Sequence, residues 1–179
     1  MNFDINSFMQ QLIIQAPPLL FALTVHEFSH GYVAFRLGDP TAKNEGRLTL
    51  NPLKHLDPLG VLAFIIMKIG WAKPVPVNPW YFKNPRQDML KVALAGPAAN
   101  VILAVASAAL AHLLVALHFL PFFFLQPVVA MLAASVWINI MLAVFNYIPI
   151  PPLDGSKVLM GLLSPEAARG YAKIGRAHV

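Results

Sequence analysis

Three apolar runs leave few folds open to this chain: about Phe8 to Leu37, Met89 to Leu117 and Phe122 to Ile148. A helix needs roughly 20 apolar residues to cross the hydrocarbon core of a bilayer, and each run exceeds that. In lipid the backbone must satisfy its own hydrogen bonds, so runs of this kind are read as membrane helices. The composition agrees: 58% hydrophobic and 12% charged, with mean hydropathy +0.62, does not describe a soluble core. The net charge of +5 is read as a topology signal, because the basic residues gather in a loop beside the spans. Nucleic acid is therefore not an expected partner. With no cysteine in the chain, disulfides and thiolate metal sites are excluded.

The second half of the first run carries His26-Glu27-Phe28-Ser29-His30. Histidines at i and i+4 lie one above the other on a helix face, so both imidazoles can reach one metal ion. Glu27 stands beside the first of them, where a carboxylate can take a proton from a water that the metal activates. Ionisable groups inside a span are costly to desolvate and point to function. Here three come together.

Around the motif, Pro17 and Pro18 predict a kink and Gly38-Asp39-Pro40 predicts the end of the helix. Between Asp39 and Lys91 lie Lys43, Arg47, Lys54, Lys68, Lys73, Lys83, Arg86 and Lys91, which places this loop in the cytoplasm and the N-terminus outside. Gly46–Leu50 and Ala72–Asn78 alternate like short edge strands. Leu59–Trp71 is apolar but short for a span, so a re-entrant or interfacial helix is favoured over a tilted span. The expectation is a mainly α, polytopic membrane bundle: three long spans, this short apolar helix, a truncated C-terminal helix, and a small β element in the cytoplasmic loop.

The second span opens with Gly96-Pro97-Ala98-Ala99-Asn100. Small residues allow close helix packing, and a packing kink is the simplest account of Gly96 and Ala98. Asn100, an amide at membrane depth, wants a partner. The third span ends in Asn146-Tyr147-Ile148-Pro149-Ile150-Pro151-Pro152-Leu153-Asp154-Gly155, and a further apolar helix is expected from about Ser156. His30 would lie roughly 10 Å, and Asn100 roughly 16 Å, from the cytoplasmic ends of their spans at 1.5 Å per residue. Two His and one carboxylate are a known zinc set. Asp154 is the best-placed carboxylate to complete it, with Asp57 and Asp39 as weaker candidates. Residues 1–173 are read as one integral-membrane domain. Residues 174–179 (Ile-Gly-Arg-Ala-His-Val) match a reading frame of a common sequencing adapter and are taken as a non-native tail, the natural C-terminus continuing differently.

His-Glu-Phe-Ser-His in one span, Gly-Pro-Ala-Ala-Asn in a later one and Asn-Tyr-Ile-Pro-Ile-Pro-Pro-Leu-Asp-Gly closing a third resemble the site-2 protease family of intramembrane zinc metalloproteases. Gly70–Pro79 is similar to the short bacterial branch that lacks a PDZ domain. The resemblance runs from about Leu19 to Leu163. It implies that His26, His30 and Asp154 bind one zinc ion, that Glu27 is the catalytic base, and that Asn100 and Asn146 lie near the site. It also implies a transmembrane protein substrate and a location in the bacterial cell membrane, with the active site near the cytoplasmic side. Asn100 or Asn146 is then available to donate to a developing oxyanion or to hold the substrate backbone. Two rivals stand beside hydrolysis: a metal-binding transporter or sensor, which needs the ligands but not Glu27, and a purely structural bundle, which needs neither. Substrate identity and oligomeric state are not legible.

Overall fold

Three helices carry the molecule, and each is long and apolar enough to cross a membrane. The computed structural model describes residues 5–60, 63, 71–117 and 121–176. Helix α1 spans Ile5–Arg36, α3 spans Pro85–Leu117 and α4 spans Phe122–Asn146. The short α2 is Thr41–Asn44, and the chain closes with α5 at Asp154–Leu162 and α6 at Pro165–Arg176. Helix α1 runs through Pro17 and Pro18 as one element. A membrane helix tolerates proline where neighbours or side chains meet the freed carbonyls.

Packing is inside-out relative to a soluble protein. Helix α3 lies against both α1 and α4, and α1 also touches α4. The buried apolar positions in these spans are mostly alanines (Ala22, Ala34, Ala93, Ala104 and Ala143), small enough for backbones to approach. Large side chains point outward: Ile102, Val105, Phe123 and Trp137 are each more than 60% exposed. Polar residues occupy the interior instead, with Asn100 and Asn139 fully buried. Lipid is the medium that suits such an exterior.

The ends of the helices are set locally. Gly38 takes φ +110°, which turns the chain out of α1, and Asp39 N–H closes back on Ala34 O at 3.0 Å. Asn84 N–H donates to Asp88 Oδ2 at 3.0 Å to cap the start of α3. Helix α5 starts at Asp154, two residues before the expected position. A separate α6 follows it, because a residue before proline avoids helical geometry and Ser164 precedes Pro165.

The expected β element does not form. Among the described residues there is no strand, only one antiparallel bridge between Leu56 and Ala72. Residues 72–78 are extended, yet their backbone groups are diverted to other partners. Lys73 N–H donates to His55 O at 2.8 Å, and Lys73 O accepts from Arg47 Nη2 at 2.7 Å. Val75 N–H goes to Glu27 Oε2 at 2.9 Å, and Asn78 N–H to Asp39 Oδ2 at 2.7 Å. Pro74 and Pro76 have no N–H to offer. Alternation had suggested a pairing partner that side chains replace. Most of the expected short helix at Leu59–Trp71 lies outside the described residues.

Candidate metal centre

One helical turn of α1 brings His26 Nε2 and His30 Nε2 to 3.0 Å, with the rings nearly perpendicular. Asp154, the first residue of α5, completes a triangle. Its Oδ2 lies 3.2 Å from His26 Nε2 and 3.0 Å from His30 Nε2. All three side chains are buried. Gly155 makes this possible: a Cβ there would sit 2.3 Å from Tyr147 O, so the turn that delivers Asp154 packs directly on the end of α4.

Helix α3 supports the imidazoles from behind. His30 Nδ1–H donates to Val92 O at 2.7 Å, and His26 Nδ1–H donates to Asn100 Oδ1 at 2.5 Å. Both rings therefore turn unprotonated Nε2 atoms inward. Gly96 lies between these two supports, and a Cβ on it would fall 2.4 Å from His30 Nε2 and 2.6 Å from His26 Cε1. Its small size is needed for the rings themselves, beyond the kink expected of it.

The donor set fits a zinc ion. Two lone pairs and a carboxylate oxygen facing one another at 3.0–3.2 Å repel unless a cation lies among them. Zinc bond lengths to His and Asp set tetrahedral ligand atoms roughly 3.3 Å apart, close to the triangle observed. Lys157 Nζ donates to the outer oxygen, Oδ1, at 3.2 Å and leaves Oδ2 to the centre.

Beside the triangle lies a cavity of about 440 Å³, lined among others by Glu27, Trp71, Val75, Asn146 and Lys157. Glu27 reaches it from α1, its carboxylate held by the Val75 N–H. Asn146 faces the same cavity, with Nδ2 donating to Leu142 O at 3.0 Å. Asn100 does not line it. Its amide is fully buried, Oδ1 on His26 and Nδ2 on Asn139 Oδ1 at 2.7 Å. The other two carboxylates stand apart from the histidines. Asp39 accepts from Thr41 and Asn78, and Asp57 accepts from the Leu59 and Gly60 N–H groups.

Three supports were not anticipated. Val75 and Val92 act through backbone atoms, which no side-chain pattern announces. Asn139 is different: it is an amide in an apolar span, seven residues before Asn146 on the same helix, and the rule that singled out Asn100 applies to it equally.

Residues 123–177 match the family model described as peptidase family M50. The chain is 43% identical to YwhC of Bacillus subtilis, over 89% of its own length and 72% of that protein's. It is 34% identical to Rip2 of Mycolicibacterium smegmatis, covering 86% of this chain and 58% of the relative. It is 32% identical to MJ0611 of Methanocaldococcus jannaschii, covering 88% and 73% respectively. All three relatives are provisionally named zinc metalloproteases. No solved structure matches the chain.

Proposed function

The chain belongs to peptidase family M50, and on that premise we propose that it is an intramembrane zinc endopeptidase that cleaves membrane-embedded protein substrates with Glu27 as general base. The observation that carries this reading is the placement of Glu27 on the cavity that borders the His26, His30 and Asp154 triangle. His26, His30 and Asp154 are the ligands. When bound, zinc supplies a Lewis acid that makes water nucleophilic near neutral pH and polarises a carbonyl.

The chain's own residues do the rest. Glu27 takes the proton from the attacking water and passes it to the leaving amine. The Val75 N–H keeps one carboxylate oxygen occupied and so aims the other. Asn146, on the cavity wall, is the amide placed to meet the substrate's carbonyl or backbone. Asn100 serves His26 instead. A helical substrate must unwind before its amide can be attacked, since an intact helix hides its peptide groups in hydrogen bonds. The extended run at 72–78 borders the cavity and offers a line of backbone against which an unwound segment can lie.

The basic loop between α1 and α3 supports a cytoplasmic position for the cavity and an external N-terminus, in a cell membrane. The decisive experiment uses Glu27→Gln, which keeps the volume and can still accept from Val75 but cannot act as a base. Zinc stoichiometry should match wild type, while cleavage of a reporter membrane substrate falls by about 10²–10⁴-fold. Cleavage near the wild-type rate would defeat the mechanism and leave a metal-binding membrane protein.

A further inference from the structure

The two histidines are held in different ways. His30 leans on the Val92 carbonyl, a backbone atom that can only accept. His26 leans on Asn100, whose amide could present either oxygen or nitrogen to it. If Asn100 presented nitrogen, His26 would have to accept at Nδ1 and carry its proton on Nε2, the atom that faces His30 and Asp154. Something must settle which way Asn100 points.

We infer that Asn139 is a positioning residue of the metal centre, orienting Asn100 and through it the tautomer and ring angle of His26. The chain of bonds has one reading. Asn139 Nδ2 lies 2.9 Å from Ser135 O and 3.2 Å from Ser135 Oγ. A backbone carbonyl only accepts, so Nδ2 must be the end that faces it. Asn139 Oδ1 is thereby turned to Asn100, where it can accept only from nitrogen, at 2.7 Å. Asn100 Oδ1 is left for His26, which must donate from Nδ1. The only other partner of Asn100 Nδ2 among the described residues is Ala22 O at 3.4 Å, too long to hold the amide by itself.

Burial strengthens the chain. Asn100 and Asn139 have no exposed surface, and Ser135 and Ser107 are buried below them, hydroxyl to hydroxyl at 2.8 Å. A polar group in such surroundings is costly when unpaired, so a misoriented amide has no solvent to rescue it. The Ser135 carbonyl on α4 thus decides which nitrogen of a histidine on α1 faces the centre.

This inference rests on His26 being a zinc ligand, and its test separates the two claims. Zinc affinity is measured by chelator competition on the purified full chain for wild type, His26→Ala, Asn139→Leu and Asn139→Asp. Asn139→Leu should bind zinc about 10–100-fold more weakly, the usual cost of losing an outer partner of a ligand. Asn139→Asp should restore it. Burial keeps that carboxyl neutral, so its O–H can donate to Ser135 O while its C=O accepts from Asn100. A merely structural role would lower thermal stability without this selective repair.

Nitrogen NMR of labelled histidine gives a second measurement on wild type, which stands if Asn139→Leu does not fold: His26 should be protonated at Nδ1. Leucine and aspartate variants that bind alike, or His26 protonated at Nε2, would overturn the relay alone. Wild type that binds no zinc, or His26→Ala that binds as wild type does, would overturn the ligand assignment and the relay with it.

Discussion

The two walls of the cavity are built on different principles. On one side, His26, His30 and Asp154 come from helices α1 and α5, the imidazoles donating to partners on α3 and Asp154 accepting from Lys157. On the other side, Glu27 is steadied, among the described residues, by a single N–H from an extended, proline-rich run. The wall of proposed ligands has the rigidity that metal geometry demands, for a ligand displaced by a fraction of an ångström is a poor ligand. In the proposed mechanism the base wall carries a group that approaches water, picks up a proton and releases it elsewhere, and one hydrogen bond leaves it room to do so. The segment that steadies the base also borders the space a substrate must enter. Arrival of substrate and aim of the base therefore share one piece of backbone.

Substitutions on each wall should break this comparison in different ways. The largest effect is expected from Asp154→Ala, which removes a ligand and leaves two lone pairs in a buried pocket. Zinc content and cleavage should vanish together in metal analysis and in a substrate assay. Zinc retained at full stoichiometry would show that the ligand wall does not need α5. Next comes Gly96→Ala. Its methyl would enter the space of both imidazoles, within 2.4–2.7 Å of ring atoms, so the rings must move. Zinc affinity should fall by about 100-fold, the upper end for changes outside the ligand set. Unchanged affinity would mean that α3 is free to shift.

The smallest effect belongs to the base wall. Val75→Pro deletes the N–H that Glu27 accepts within a run already rich in proline. Zinc affinity should be unchanged, while kcat falls about tenfold, the cost of one hydrogen bond to a charged group. A loss of zinc in this variant would show that the two walls are one unit and end the comparison.

The spans were legible because length and apolarity together admit almost one solution in lipid. Their ends were within a few residues, Ile5–Arg36 against Phe8–Leu37 for the first. The stacked histidines were legible because helical repeat alone brings positions 26 and 30 together. Asp154 is 128 residues from His26 in sequence, and no local rule connects them. It came forward because few carboxylates lie near the ends of spans and because of the family pattern. The strands were misread for a physical reason. Alternation reports which faces side chains take, whereas a sheet requires free backbone donors, and here Glu27 and Asp39 claim those of Val75 and Asn78. Gly96 looked like a packing residue because sequence cannot show that two imidazoles occupy the volume of its absent side chain.

The separation between partners has a consequence for synthesis. A ribosome makes α1 first, so His26, Glu27 and His30 enter the bilayer while Asn100, 74 residues further on, and Asp154 are still unmade. During that interval the first span holds only two of the three ligands and lacks the brace for His26. With the ligand set proposed above, the centre cannot assemble until α5 has been made. On that proposal, the order in which the helices are made delays the activity of the centre.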